Sequence, residues 1–338
     1  MKILITGGSG YVGRALTRLI MKDHSICVVD NHRYGLSRFN AEELRYFQLE
    51  NIDIRDREKL GKIISDFQPE VIIHLAAIHY IPECEMQPGL TVSTNIEGTV
   101  NLLSLCPPNC RFVFASSGAI YRPQETPHNE TESPIGPMDI YGFTKLQGEH
   151  YVRYFSKQRG FAAIIVRLFN VVGPGETNPH LLPEIFAQLK SSRHTLKLGN
   201  LSPKRDYIDV RDAATGFWAV ASRGEVSKRA IATVNLGTMK QYSVMELLDK
   251  IRVLSGIQFE IKQDTERLRK VDRPYLLADI SRIENLFGWK PQFKIDDTIQ
   301  EMIRAPDLSP YLVEKYTLPT AMSTSTSIRK LGLSSTQK

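Results

Sequence analysis

Four glycines crowd into residues 7–13, in the run TGGSGYVG that begins at Thr6. Glycine loses more conformational freedom on folding than any other residue, so such a cluster weakens helix and strand alike unless the backbone needs what only glycine permits. The run follows KILIT (2–6), a short apolar segment, and opens YVGRALTRLIMK (11–22), whose apolar residues recur at helical spacing. ICVVD (26–30) then reads as a second buried strand. Strand, glycine turn, helix and strand form a βαβ unit, which commits the start of the chain to a right-handed parallel crossover.

The alternation continues through LRYFQL (44–49), a helix near 57–67, VIIHLA (71–76), a helix near 90–105 and RFVFASS (111–117). A long helix over 141–159 leads into AAIIVRLFN (162–170). These strands are continuous apolar runs, the pattern of burial on both faces of a parallel sheet. The expected fold is therefore α/β, a Rossmann-type doubly wound parallel sheet. After Asn170 the composition changes: GPGETNPHLLP (173–183) is dense in proline and glycine. Shorter elements follow, with a helix near 183–190, RDYIDV (205–210), a helix through Ala221, TVNLG (233–237) and a helix near 244–254. The expected division is a first domain over 1–170, with segments near 206–237 returning to it. A smaller, interleaved α/β domain occupies mainly 171–304, and 305–338 reads as a mobile tail.

Charge and cysteine content narrow the class. The net charge is +6, but 43 lysines and arginines are scattered among 37 acidic residues, with no basic, aromatic-interleaved stripe for nucleic acid. No apolar run approaches the roughly 20 residues of a membrane span, and the apolar stretch at 3–5 is too short for a signal-peptide core. A cytoplasmic protein is expected. Cys27, Cys84, Cys106 and Cys110 do not make a disulfide framework, and CPPNC (106–110) lacks metal-ligand spacing, so reduced structural cysteines and no metal site are expected.

Gly8, Gly10 and Gly13 satisfy G-x-G-x-x-G, while Gly7, Gly10 and Gly13 satisfy the related G-x-x-G-x-x-G. In either register one glycine permits the turn, another admits a pyrophosphate to the backbone, and Gly13 lets helix pack on strand. The phosphates then meet the free N–H groups of a helix N-terminus. Asp30 ends the second strand, where a carboxylate can accept the adenosine ribose hydroxyls and repel a 2′-phosphate. NAD is favoured over NADP, Arg33 nearby leaving NADP open, and Asp30 as a mere loop cap is the plainer alternative.

Chemistry is sought at the other strand ends, where open α/β sheets bind ligands. Ser116 and Ser117 follow the RFVFA strand, and Tyr141 and Lys145 lie four apart on one face of the long helix. A phenol is a weak base near neutrality, but a lysine cation and a positive nicotinamide would both favour its phenolate. Such a tyrosinate could take a proton from a sugar hydroxyl while hydride leaves the same carbon.

With these motifs the sequence resembles the extended short-chain dehydrogenase/reductase family, and within it the NAD-dependent nucleotide-sugar epimerases and dehydratases, the UDP-glucose 4-epimerase-like branch. The resemblance covers residues 2 to about 304. It also rests on DIRD (53–56), HLAA (74–77), NIEGTVNLL (95–103), SSGAIY (116–121), RLFNVVGPG (167–175), RDYIDVRDAA (205–214) and LFGWKP (286–291). It implies a catalytic trio of Ser117, Tyr141 and Lys145.

For NAD, the resemblance implies contacts from Gly7, Gly10, Tyr11, Val12 and Gly13, then from Asp30 and Asn31, with Asp53 and Ile54 flanking the adenine. Leu75, Ala76, Ala77, His79, Asn95, Ser116 and Phe169 complete that set together with Tyr141 and Lys145, His79 standing where relatives often have a lysine near the phosphates. For a nucleotide-diphosphate sugar, with a UDP-sugar favoured, it implies Ser117, Asn170, His180, Leu181, Arg205 and Arg269.

Two departures bear on the reaction. Gly118 and Ala119 stand where the sugar 4,6-dehydratases carry an Asp-Glu pair, and Leu276 stands where some epimerases have a gating tyrosine, leaving room for an N-acetylated sugar. C4 epimerisation through a transient 4-keto sugar is thus the expected reaction. A dehydratase, decarboxylase or 4-keto reductase of the same family is the alternative, and a non-catalytic NAD-sensing regulator a more distant one. The resemblance further implies a homodimer paired through the helices near 90–105 and 141–159.

Overall fold

The computed structural model describes residues 1–33, 38–176, 178–191, 195–224, 226–267 and 272–305. Strand β1 (Lys2–Thr6) carries Ile3, Leu4 and Ile5, all fully buried, and leads through the glycine turn into α1 (Tyr11–Ile20) and β2 (Ser25–Asp30). The third strand, β3 (Phe47–Asn51), starts later than the expected 44–49, because Glu43–Arg45 forms a single 3₁₀ turn that brings Phe47 to the sheet. Helix α2 (Arg57–Phe67) starts where the Asp56 carboxylate accepts the Lys59 N–H at 3.1 Å and precedes β4 (Val71–His74).

The single helix expected near 90–105 is broken. After α3 (Ile81–Met86), α4 (Pro88–Val92) and α5 (Gly98–Leu105) are joined by a π-helical turn over Ser93–Glu97. At this wide turn the Asn95 amide bonds Ile78 twice, accepting its N–H at 2.8 Å and donating to its carbonyl at 2.9 Å. Such insertions commonly accompany a local demand that a regular helix cannot meet.

Strand β5 (Arg111–Ser117), α6 (Ile140–Arg159) and β6 (Ala162–Leu168) follow. Helix α6 is capped at its start by Asp139, which accepts the Gly142 N–H at 2.7 Å, and ended by Gly160 at φ +89°. The rest of the chain comprises β7 (Asn170–Val172), α7 (Leu181–Lys190), β8 (Thr195–Leu198), β9 (Lys204–Asp209), α8 (Val210–Ser222) and β10 (Ile231–Leu236). Beyond them lie β11 (Gln241–Ser243), α9 (Val244–Ser255), β12 (Glu260–Gln263), β13 (Tyr275–Leu276), α10 (Ser281–Phe287) and α11 (Ile295–Arg304). The tail expected over 305–338 falls outside the described residues beyond Ala305.

The main sheet runs β3-β2-β1-β4-β5-β6-β10, parallel throughout. Its strand order reverses direction between β1 and β4, the position at which doubly wound sheets open a crevice. Alternate residues feed two cores. Ile3, Ile5, Val28, Ile73 and Val113 pack in one, with residues of α1 and α8, while Leu4, Cys27, Val29, Ile72 and Phe112 pack in the other, with residues of α2, α5 and α6. All four cysteines are buried and free. A second sheet joins β9 to β7, β11 and β13, and β8 pairs with β12 over a third core that includes Leu182, Ile185, Leu247 and Ile299. Among the described residues no helix is long and apolar enough to cross a membrane.

A buried ion pair crosses the main core. Arg167 of β6 donates to both oxygens of Glu149 on α6, at 3.0 and 2.9 Å, with the two side chains only 5% and 3% exposed. Removing one partner strands the other charge in the interior, at a cost of roughly 3–5 kcal/mol. Urea denaturation should therefore show Arg167→Met strongly destabilised, with Arg167→Met/Glu149→Leu losing less than the sum of the two single variants.

Candidate active site

The glycines divide their work. Gly7 sits at φ +72°, and a Cβ there would lie 2.6 Å from the Ala76 nitrogen. At Gly13 a Cβ would lie 2.2 Å from the Gly7 carbonyl oxygen, so α1 rests directly on the turn. Gly8 faces the Val28 side chain, 2.7 Å from where its Cβ would stand, and serves packing. Gly10 precedes α1 with only the Gly7 carbonyl near its would-be Cβ, at 3.0 Å. Gly7, Gly10 and Gly13 line a cleft of about 1340 Å³ and Gly8 does not, so the spacing in use is G-x-x-G-x-x-G. The amides of Tyr11, Val12 and Gly13 form a first helical turn without intrahelical acceptors.

Asp30 and Asn31 also line the cleft. The Asp30 carboxylate accepts the Ser9 N–H at 2.9 Å and the His32 N–H at 2.8 Å, so it does cap the loop. Each oxygen still has a lone pair for a ribose hydroxyl. The guanidinium of Arg33 is held by Glu83 at 2.6 Å.

Ile54, Leu75, Ala76, Ala77 and His79 line the same cleft. Asp53 and Asn95 do not, and both carboxylate and amide are committed elsewhere. Asp53 receives Asn31 and a two-pronged Arg55, all at 2.9 Å. Burial opposes its ionisation, but these hydrogen bonds outweigh it and bring its pKa down to about 2. Asn95 is spent on Ile78 and on the Thr144 hydroxyl, to which it donates at 3.0 Å. His79 differs from the expected phosphate donor. Its Nε2 meets the Asn178 amide at 2.9 Å, its ring also bonds the Ala77 backbone, and burial holds its pKa down at about 4.

The candidate reactive residues Ser117, Tyr141 and Lys145 line the cleft where β5 ends and α6 begins. Ser117 is the last residue of β5, and its hydroxyl accepts the Ala119 N–H at 3.1 Å. One helical turn on, Lys145 donates to the Ala115 carbonyl at 2.8 Å, with Nζ 5.7 Å from the Tyr141 ring centre. Ser116 also lines the cleft, its hydroxyl donating to Glu149 at 2.6 Å. Phe169 borders the cleft, and a Cβ at Gly118 would lie 3.3 Å from its ring.

The expectation that Lys145 lowers the phenol pKa is not met by the protein alone. Burial pushes Tyr141 well above the usual phenol range, and the influences that oppose this are neighbouring Ser117 and Arg273. Burial likewise takes Lys145 down to about 8.

Asn170, His180, Leu181 and Arg205 line the remainder of the cleft, where Arg205 is paired with Asp272 at 2.7 Å. Arg269, expected to bind phosphate, lies outside the described residues. Leu276 of β13 is buried and lines the cleft. Sequence reasoning missed Arg273. It is buried beside the reactive centre, paired with Asp139 at 2.7 Å and donating to the Ala119 carbonyl at 3.0 Å. A capping Asp just before Tyr141 was the available signal, but nothing local connects it to residue 273.

The model of the NAD dependent epimerase/dehydratase family matches residues 3–237. This chain belongs to that family. Similar proteins include the UDP-glucose 4-epimerase of Rhizobium meliloti, 30% identical over 87% of this chain and 93% of its own. The GDP-6-deoxy-D-mannose reductase of Pseudomonas aeruginosa is 24% identical over 89% of this chain and 96% of its own. Among solved structures, the UDP-glucose 4-epimerase of Thermotoga maritima with UDP-glucose superposes with a TM-score of 0.79 at 26% identity, covering 90% of this chain and 98% of that one. The chain is thus an enzyme of an NAD-dependent family, and NAD is its cofactor. The residues present fit it: a glycine turn whose open side a Cβ would narrow, uncapped amides above it, and a carboxylate with spare lone pairs at the end of β2.

Two measurements probe this arrangement. Asp30→Ala should weaken NAD far more than NADP in equilibrium titrations, because it removes both the ribose acceptor and the charge that repels a 2′-phosphate. Lys145 has a lower pKa folded than the roughly 10.4 of a free lysine, so between about 8 and 10.4 the unfolded chain binds the extra proton. Its burial penalty is full below that window and fades as pH rises through it. The stability difference between wild type and Lys145→Met should accordingly move in the wild type's favour from pH 8 upward, as read by urea unfolding.

Proposed function

We propose that this enzyme is a nucleotide-sugar 4-epimerase acting on a UDP-sugar. The observation that carries this reading is that Ser117, Tyr141 and Lys145, the last one helical turn beyond the tyrosine with Nζ 5.7 Å from its ring centre, line one cleft together with Gly7, Gly10, Gly13 and Arg205. The Rhizobium meliloti and Thermotoga maritima proteins are both UDP-glucose 4-epimerases, the latter solved with UDP-glucose, which supports UDP as the nucleotide.

Tyr141 takes the proton of the C4 hydroxyl and later gives it back, while Ser117 holds the same oxygen. When bound, NAD supplies the hydride acceptor and returns that hydride, and its ring charge favours the phenolate. Lys145 adds positive charge beneath the phenol and keeps α6 docked on Ala115. Between the two hydride transfers the 4-keto sugar turns over to present its other face. Asn170 and Arg205 border the part of the cleft that would hold the diphosphate and nucleotide.

Position 118 supports epimerisation over dehydration. Its hydrogen atom faces the Phe169 ring, so the acid that a 4,6-dehydratase carries there would have to displace that ring. Ala119, next to it, is buried and offers no proton carrier. We also propose that the protein pairs with itself through α4 and α6, on which Val92, Phe143 and Tyr154 are exposed at 44, 58 and 58%.

Tyr141→Phe should keep the fold and NAD while lowering kcat by at least about 10²-fold, the usual scale for a lost general base. NMR of products from a panel of UDP-, GDP-, CDP- and dTDP-sugars checks the reaction. Inversion at C4 without change of mass is expected, and loss of water or carbon dioxide would overturn the assignment.

A further inference from the structure

Arg273 stands two residues before β13, on a segment held to β9 on either side of it. Asp272 before it pairs with Arg205 at 2.7 Å, and the Pro274 carbonyl after it accepts the Lys204 N–H at 2.8 Å. Its side chain points inward and is only 9% exposed, and its Nε is buried without a hydrogen-bond partner. A buried guanidinium with an unanswered donor carries a cost that apolar packing at the same place would avoid. The interactions that offset it belong to Nη2.

That one nitrogen meets two acceptors. It donates to the Ala119 carbonyl at 3.0 Å and lies 2.7 Å from Oδ2 of Asp139, whose side chain is 8% exposed. Each acceptor is joined to the reactive residues by a further bond. The Ser117 hydroxyl accepts the Ala119 N–H at 3.1 Å, and Oδ1 of Asp139 accepts the N–H of Gly142, next to Tyr141, at 2.7 Å. The two segments also touch directly, for a Cβ at Gly142 would lie 2.7 Å from the Ala119 carbonyl oxygen. A path from Ser117 through Ala119, Arg273 and Asp139 to Gly142 thus joins the end of β5 to the start of α6, with every link at 3.1 Å or less. An accepted N–H fixes where the serine oxygen sits and leaves its own hydrogen for another acceptor.

We propose that Arg273 is a positioning residue, a strut from the second sheet that sets the Ser117 hydroxyl against the Tyr141 phenol. The inference rests on the reading of Ser117, Tyr141 and Lys145 as the reactive trio of a nucleotide-sugar enzyme. Arg273 acts through Ala119 and Asp139 and needs no contact with sugar or NAD. Misplacement by about 1 Å in such a centre is enough to cost roughly 10²-fold in rate. The effect falls on the chemical step rather than on binding, because the glycine turn and Arg205 do not depend on Nη2.

The test is a set of variants of the NAD-loaded enzyme. Arg273→Met should lower kcat at least about 10-fold with little change in KM for the UDP-sugar. Since that change strands the Asp139 carboxylate, Arg273→Met/Asp139→Asn is measured beside it; it removes the buried charge, keeps a capping side chain and should lose kcat alike. Added to Ser117→Ala, Arg273→Met should cost no more than roughly twofold, because a residue that acts through the serine then has nothing to position. Amide exchange needs no turnover. In both Arg273 variants the Ala119 amide should exchange at least about 10-fold faster relative to Leu4 of β1, whose amide reports on the fold as a whole. Unchanged kcat, a rise in KM alone, losses that multiply with Ser117→Ala, or Ala119 exchange that only follows Leu4 would overturn the proposal. C4 inversion by wild type reports on the epimerase reading separately. Selective Ala119 exchange without inversion of any UDP-sugar removes that reading and leaves the strut, while inversion with kcat and Ala119 exchange unmoved in the variants does the reverse.

Discussion

The Arg167–Glu149 ion pair ties together the three elements on which the reactive centre depends. Arg167 belongs to β6 and Glu149 to α6, and Glu149 also accepts the Ser116 hydroxyl of β5. Ser117 is the next residue of that strand, and Lys145 lies one turn before Glu149 on the helix. Arg167 reaches further, to the Tyr121 hydroxyl at 2.8 Å, which donates in turn to Asn235 of β10 at 2.8 Å. The spacing between the serine at a strand end and the tyrosine at a helix start is thus fixed by buried charge-assisted bonds, which tolerate little misplacement. Apolar packing alone would give the same layers with a looser register.

Much of this was legible in the sequence because it is local. A glycine run between strand and helix, continuous apolar strands, and a Tyr and Lys four apart each carry their meaning within a few residues. The α/β alternation and the positions of Ser117, Tyr141 and Lys145 follow from such patterns. The π turn at Ser93–Glu97 was not legible, because it answers to Ile78, on a loop elsewhere in the chain.

The same distinction explains the site residues whose polar atoms are already engaged within the protein. Asp53, Asn95 and Ser116 sit where family position places cofactor contacts, yet their polar atoms are taken by Arg55, by Ile78 and Thr144, and by Glu149. Sequence spacing locates a side chain's origin but not its hydrogen-bond partners. Arg273 is the converse case: its link to Asp139 spans 134 residues of chain, and no pattern within either segment announces it. The raised phenol of Tyr141 has a similar origin, since burial is a property of the assembled core and outweighs a cation inferred from spacing.

Between β6 and β7 there is one residue, Phe169, whose N–H is bonded to the Leu236 carbonyl at 3.0 Å. One strand therefore ends in the main sheet and the next begins in the second sheet with almost no slack between them. A joint so short and so anchored cannot serve as the axis of a wide, jaw-like opening. At this junction the end of the main sheet and the start of the second are therefore held in a fixed relation, with the Phe169 ring that borders the cleft pinned between them.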